Sequence, residues 1–248
     1  MMLDLRAVFA DTLRLGAAAF TFVLPVAIVD SLATNAWRLF GPGTASETGV
    51  VLAVDHGLRA VLSVLATLIV MPGLLDRLDR PGASMAWRLD SLRMVAPLLV
   101  ASVLRSLPYW VFEGRFIERP RPLIVSLALL LIAVLTTWLQ ARLFIVVPVA
   151  VRERGSVRAT LRRSWQLTRG AALHIVLAQL ALVVPGFFVW LLGHTLQSHG
   201  WPHGNEWASI AVFVMLWPFD LALQAVIHRD LLRREAGASS VLPATAPA

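Results

Sequence analysis

Long stretches of this chain are apolar on every side, with no face left for water. The run Leu123–Leu139 (LIVSLALLLIAVLTTWL) has no charge, proline or glycine over seventeen residues. A lone helix with no polar face is stable in hydrocarbon and not in water. Carried on past Arg142 through LFIVVPV, it predicts a helix of about 28 residues, or ~42 Å at 1.5 Å per residue, enough to cross a bilayer core of about 30 Å. The same pattern predicts six spans, at about 16–34, 51–72, 92–112, 122–149, 171–193 and 207–228. Charges mark the weaker ones: Asp55 and Arg59 lie near the start of the second, and Asp30 near the end of the first. The predicted fold is all-α, a polytopic membrane helical bundle of six transmembrane helices with interfacial amphipathic helices. It forms one domain over residues 1–236, and the small, proline-containing tail 237–248 is expected to be disordered.

A shorter pattern precedes each odd-numbered span. Ala7-x4-Thr12-x2-Leu15, Ala86-x4-Ser91-x2-Met94 and Ala159-x4-Ser164-x2-Leu167 recur at offsets of 79 and 73 residues. Three hairpin repeats are one reading of this, each an interfacial helix followed by two crossings in the same orientation; chance similarity at few positions is the other. Inverted repeats, common in transporters, are not predicted.

Composition agrees with a membrane solvent. Of 248 residues, 58% are hydrophobic and 15% charged, and the mean hydropathy is +0.73; a soluble domain carries about 25% charged residues. The net charge is +7, and all 22 basic residues are Arg. Arg-only usage is what a GC-rich genome produces, and it also suits anionic headgroups. The apolarity makes a membrane surface, not nucleic acid, the expected partner. With no Cys there can be no disulfide, thiolate nucleophile or Cys-ligated metal. The start of the chain carries Asp4 and Asp11 and no basic n-region, so no cleaved signal is expected. With the N-terminus in the cytosol, fifteen Arg fall in inner segments and four in outer ones. That bias requires an even number of spans and places both termini in the cytosol. Trp37, Tyr109, Trp110, Trp190, Trp201 and Trp207 fall near predicted outer ends, as an aromatic belt does.

The densest local signal is Gly155–Thr168 (GSVRATLRRSWQLT). Val157, Leu161 and Trp165 recur every four residues and predict one apolar stripe. Arg158, Arg162, Arg163 and Arg169 take the other faces. A basic amphipathic helix with Trp on its apolar side lies in the headgroup plane. Arg158, Arg162, Arg163, Trp165 and Arg169 are therefore the candidate lipid- or phosphate-binding residues. A stop-transfer cluster that only sets topology is the competing reading.

The stretch ARLFIVVPVAVRERGSVRATLRRSWQLTRGAALHIVL (141–177) resembles a signature of bacterial multi-span inner-membrane proteins: a span ending at Pro-Val, a charged turn, then Arg-Ser-Trp-x-Leu-Thr-x-Gly before the next span. The family comprises YciC-like proteins and the membrane domain found beside some glycerophosphodiester phosphodiesterases. PFDLALQAVIHRDLLRRE (218–235) and LRAVFADTLRL (5–15) also fit, with His228 where a Tyr is expected. The resemblance implies a six-span helical fold in the bacterial cytoplasmic (inner) membrane and no particular activity. The phosphodiesterase chemistry of such relatives belongs to a separate soluble barrel.

Arg59, Arg105 and Arg142 lie inside predicted spans, where each costs about 2.5–3.5 kcal/mol on insertion scales, so partners are expected. Asp55 and Arg59 are spaced to pair along one helix. Arg142 and Asp220 each lie about eight residues from an inner end and form the candidate intramembrane ion pair; snorkelling of Arg142 to the interface is the alternative. Prolines 25, 72, 97, 148, 185 and 218 put one in or near every span. In the outer loop, His194, His199 and His203 with Glu206 have the donor types of a Zn²⁺ or Cu²⁺ site, without the helical spacing of a zincin. No metal or cofactor is expected. No G-x-S-x-G, H-E-x-x-H or glycine-rich phosphate loop is present, so no catalytic role is expected either. Three function classes follow: a non-enzymatic membrane module organising lipid or partner proteins, a small-solute transporter or channel, and an intramembrane lipid-processing enzyme. The expected partners are membrane lipids, anionic ones first, and a second membrane protein.

Overall fold

The computed structural model describes residues 3–40, 49–89, 93–96, 98–102, 123–201 and 203–241; at 34–40, 49–59, 123–126, 128–129 and 238–241 it describes the backbone only. Among the described residues there are seven long or medium helices and no strand. They are α1 (Leu5–Phe40), α2 (Gly49–Asp79), α3 (Leu123–Leu143), α4 (Val146–Glu153), α5 (Val157–Leu167), α6 (Ala172–Ser198) and α7 (Gly204–Val241). Five helical stretches among them are long and apolar enough to cross a bilayer: Leu5–Ala33, Ala60–Asp79, Leu130–Glu153, Ala172–Ser198 and Gly204–Gly237. The chain is an all-α, multi-pass membrane bundle. The third expected span, 92–112, lies largely outside the described residues, with helical starts at 93–96 and 98–102. Tyr109, Trp110, Arg105 and the side chains of Trp37, Asp55 and Arg59 are also outside them.

The structure redraws several predicted boundaries. Asp4 Oδ1 accepts from the backbone N–H groups of Arg6 (3.0 Å) and Ala7 (3.2 Å), capping α1, which then runs 36 residues without interruption. The segment expected as a first interfacial helix is therefore simply the start of that span. Residues 83–88 are not helical, and among the described residues the third of the three repeated motifs begins a separate short helix, α5. The fourth span breaks at Phe144–Ile145, between α3 and α4. Pro148 lacks the N–H that would bond to the Phe144 carbonyl, and its ring crowds that carbonyl. Pro25, Pro72, Pro185 and Pro218 sit inside helices that continue through them. Helix α7 continues to Val241, past the expected tail boundary at 237; residues 242–248 lie outside the described set.

Helix α7 is the centre of the bundle and packs on α1, α2, α4, α5 and α6. Leu221–His228 is buried at every position. Lipid tails are as apolar as Leu, so close packing rather than exclusion of water holds such helices together. The seams are accordingly made of small residues. A Cβ added at Gly193 of α6 would lie 2.2 Å from Ala208 Cβ and 2.7 Å from the Gly204 carbonyl oxygen, both on α7. A Cβ at Gly16 of α1 would lie 2.4 Å from the Phe219 ring. A second apolar cluster joins Val64 and Leu68 of α2 to Met94, Leu98, Leu143 and Val146.

The charged helix ends gather at one end of the bundle. Asp11 near the start of α1 is ion-paired to Arg229 late in α7. Asp79 at the end of α2 takes Arg152 of α4 at 2.6 Å, and Asp76 takes Arg88 at 2.8 Å. Helix α2 thus ends at this basic end, and α3 must begin at the opposite one to reach α5 here.

Candidate functional site

Helix α5 lies at the basic end. Arg154 closes α4 in the left-handed conformation (φ 52°), its N–H donating to the Ala150 carbonyl at 3.1 Å. Two residues on, Ser156 caps α5 by accepting from the Ala159 N–H at 3.3 Å. These two caps turn the chain from a span into a short helix.

The face that α5 turns to the bundle is the hydroxyl-bearing one rather than the apolar stripe. Thr160, Ser164, Leu167 and Thr168 are buried, with Ser164 and Thr168 at 0% exposure, while Val157 and Leu161 are half-buried and Trp165 is 39% exposed. The buried hydroxyls have a purpose at the end of α3. The last four carbonyls of a helix lack internal partners, and the Arg142 carbonyl receives the Ser164 hydroxyl at 2.8 Å and the Thr168 hydroxyl at 3.4 Å. Periodicity located the helix and its apolar stripe, but not the hydroxyl face that it turns to the bundle.

The five candidate residues on and beside α5 divide into two roles. Arg163 points along the bundle end: its Nε donates to Glu153 at 3.0 Å, and its two terminal nitrogens donate to Glu235 at 2.7 and 2.6 Å. Those bonds, Glu235 first, raise the Arg163 pKa above its ordinary value against the lowering effect of partial burial. Arg163 is a clamp between α4, α5 and α7. Arg158, Arg162 and Trp165 fall within about 60° of one another at 100° per residue, on the side away from the buried stripe, and Arg169 follows in the next turn. Arg158, Arg162 and Arg169 are exposed and have no carboxylate partner among the described residues.

Trp165 connects this face to the end of α3. Its ring meets that of Trp138 edge to face at 4.9 Å, and the Arg142 guanidinium lies 5.1 Å from the Trp138 centroid and 5.3 Å from that of Trp165. Such contacts hold a cation against π-faces. Arg142 also directs a terminal nitrogen towards the Trp165 carbonyl at 3.5 Å. Asp220 has other surroundings: it accepts from the Gln224 amide at 2.8 Å and lines a cavity with Ser63, Thr67 and Gln140. The structure does not bring Arg142 and Asp220 together. Their expected shared depth was counted along an unbroken fourth span, and the break at Phe144–Ile145 ends that register.

The three histidines of the opposite end are turned to separate local partners. His194 is still within α6 and stacks on Trp190 at 5.6 Å. His199 Nδ1 lies 2.8 Å from the Thr195 carbonyl, and His203 Nδ1 lies 4.0 Å from Glu206. Among the described residues, no group of three or more His, Asp or Glu side chains is placed to hold a metal ion.

Residues 110–197 match the family described as the membrane domain of glycerophosphoryl diester phosphodiesterase. The matched segment includes α3, α4, α5 and nearly all of α6, and with them every residue of the guanidinium–tryptophan face. It bears out the resemblance read from 141–177, and it is to the membrane domain of that enzyme, not to its catalytic part. Neither a curated protein nor a solved structure matches the chain.

Proposed function

We propose that this chain is a non-enzymatic membrane module of the bacterial inner membrane, with both termini in the cytosol, that gathers anionic phospholipid at its cytosolic rim through Arg158, Arg162 and Arg169 beside Trp165. The observation that carries this reading is the division within α5. Arg163 is held by two carboxylates, whereas the three guanidiniums on the outer face are not. Unpaired guanidiniums next to an interfacial Trp attract phosphate, at about 1 kcal/mol for each basic side chain near an anionic surface. The likeness of 110–197 to a membrane domain, rather than to a catalytic one, supports a supporting role beside other envelope proteins.

The test is co-purified and exchanged lipid in nanodiscs containing phosphatidylglycerol and phosphatidylcholine, read by native mass spectrometry. The natural chain is expected to enrich phosphatidylglycerol. The triple variant Arg158→Gln, Arg162→Gln, Arg169→Gln should lose that enrichment by about fivefold for each charge removed, less in high salt, without a change in thermal midpoint. Unchanged enrichment in the triple variant would remove the headgroup role. A second reading, solute passage, is favoured by one observation, the polar cavity beside Asp220.

A further inference from the structure

We infer that the groove where α1, α2 and α7 meet, at the basic end of the bundle, binds a phosphate ester through Arg14, Arg77 and Arg229. This goes beyond the headgroup reading of α5 and uses none of its residues. The groove has a volume of about 250 Å³, roughly eight times the share of one liquid water, so it has room for a headgroup or a small ester. Arg14 comes from the early turns of α1 and Arg77 from the last turn of α2. Arg229 follows directly on the buried run Leu221–His228 of α7. Asp11, one turn before Arg14, is the carboxylate among the described lining residues. Three guanidiniums therefore share one small space with one carboxylate, and like charges held together repel until an anion joins them.

The hydrogen bonds leave donors available. Arg77 uses one terminal nitrogen on the Ala83 carbonyl at 3.1 Å. Arg14 approaches Asp11 at 4.0 Å, with 83% of its side chain exposed. Arg229 donates through Nη2 to Asp11, and its buried Nε has no hydrogen-bond partner. Planar guanidiniums recognise phosphate oxygens through paired hydrogen bonds. A phosphate ester supplies both the acceptors and the negative charge, whereas a cation is repelled. The floor of the groove is apolar, with Leu15 buried and Ala18 exposed. Beyond it, Thr21 and Pro25 continue the exposed row on the same side of α1, at about 100° per residue. None of these three exposed side chains is large, so the row leaves a path for an acyl chain. The ester can thus be a lipid headgroup as well as a soluble phosphate ester, and the two sources are separable by experiment.

The chain contains no Cys, so a single-cysteine variant reports on one position. Ala18→Cys puts a small thiol on the exposed floor of the groove. Leu13→Cys, also exposed on α1 but outside the groove lining, is its control. Each full-length variant, in phosphatidylcholine nanodiscs, is reacted with the anionic sulfonatoethyl and the cationic aminoethyl methanethiosulfonates, with rates corrected for each reagent's reaction with a free thiol. At Ala18→Cys the anionic reagent is expected to react about tenfold faster, and adding Arg14→Gln or Arg77→Gln should cut that preference by about threefold. Arg14 is mostly exposed, so its replacement leaves the fold intact. Occupancy is then read with neutral N-ethylmaleimide. A bound ester should slow labelling of Ala18→Cys about twofold at half occupancy and leave Leu13→Cys unchanged. Slowing by millimolar glycerol 3-phosphate identifies a soluble ester as a source, and slowing by phosphatidylglycerol in the disc identifies a headgroup. Equal corrected rates for the two charged reagents, no labelling of Ala18→Cys, or a preference unchanged in both Arg variants would overturn the proposal. So would the absence of slowing by either phosphate source, or equal slowing at Leu13→Cys. The guanidiniums of α5 are untouched in all these proteins, so lipid enrichment through them is decided separately.

Discussion

Helices α5 and α6 are neighbours in the chain, joined through residues 168–171, and they were easy to read as opposites. Helix α5 is short, basic and amphipathic; α6 is long and apolar throughout. In the structure they obey the same rule. Apart from Leu167 and Ile175, the residues each turns inward are small or hydroxyl-bearing, and most of its large residues face outward. The buried residues of α6 are Ile175, Ala178, Gly186 and Gly193, while Phe187, Phe188 and Leu192 are exposed. Only 17% of the most apolar stretch of α6 is buried, against 56% for that of α7. Helix α5 buries Thr160, Ser164 and Thr168 and exposes Trp165. Where lipid rather than water surrounds a helix, bulk apolar area gains nothing by moving inward. Close approach and hydrogen bonding decide what does.

The sharpest way to break this rule is at the inner seam of α6. Gly193→Leu puts a side chain where even one Cβ would stand 2.2 Å from Ala208. The substitution raises hydrophobicity, so an account based on hydropathy expects no harm. The seam predicts a loss of about 3 kcal/mol or more, since overpacking typically costs 1–3 kcal/mol and here the clash includes the Gly204 backbone. Thermal unfolding in detergent reads it directly. A midpoint equal to that of the natural chain would show that α6 is not held by this contact.

The corresponding inner position of α5 is Ser164, and the expected effect is smaller. Ser164→Val keeps the residue small but removes the hydroxyl that donates to the Arg142 carbonyl at 2.8 Å. Leaving that carbonyl with only the 3.4 Å contact from Thr168 should cost about 1–3 kcal/mol. It should also loosen the α3–α5 contact, seen as a change in the Trp138 and Trp165 fluorescence. Ser164→Thr, which retains the hydroxyl, separates hydrogen bonding from size. A stable Ser164→Val protein with unaltered fluorescence would mean that α5 is positioned by the Arg163 clamp alone.

How far the sequence could be read follows from the same physics. Spans were legible because hydropathy reports the solvent, whereas the break at Phe144–Ile145 was not, since the fourth span reads as one helix through Pro148. Helix α5 was legible as a helix from its four-residue period, and Gly155–Ser156 as its start. Which side faced inward was not legible, because Val157-Leu161-Trp165 and Thr160-Ser164-Thr168 share the same period, and the rule for soluble helices selects the wrong one. Arg163 could not be told from Arg162 by composition; its partners Glu153 and Glu235 lie 10 and 72 residues away. The cavity needed Ser63, Gln140 and Gln224 brought together from three helices, which no local spacing announces.

The mildest change tests the outer side of α6. Phe188 is 63% exposed in a helix that presents most of its surface to lipid. Phe188→Ala removes a large apolar side chain, which in a soluble core costs about 3–5 kcal/mol. Here the ring leaves no cavity, because lipid chains fill the space, and the remaining 27-residue helix is still long enough to span. The expected shift in stability is within about 0.5 kcal/mol, the range of ordinary surface changes. The two substitutions on α6 form a pair: adding apolar bulk at Gly193 should harm the fold more than deleting it at Phe188. If Phe188→Ala proves as damaging as Gly193→Leu, then that face of α6 is covered by protein rather than lipid. The exposed row Val184, Phe187, Phe188 and Leu191 would then be where a second membrane protein docks.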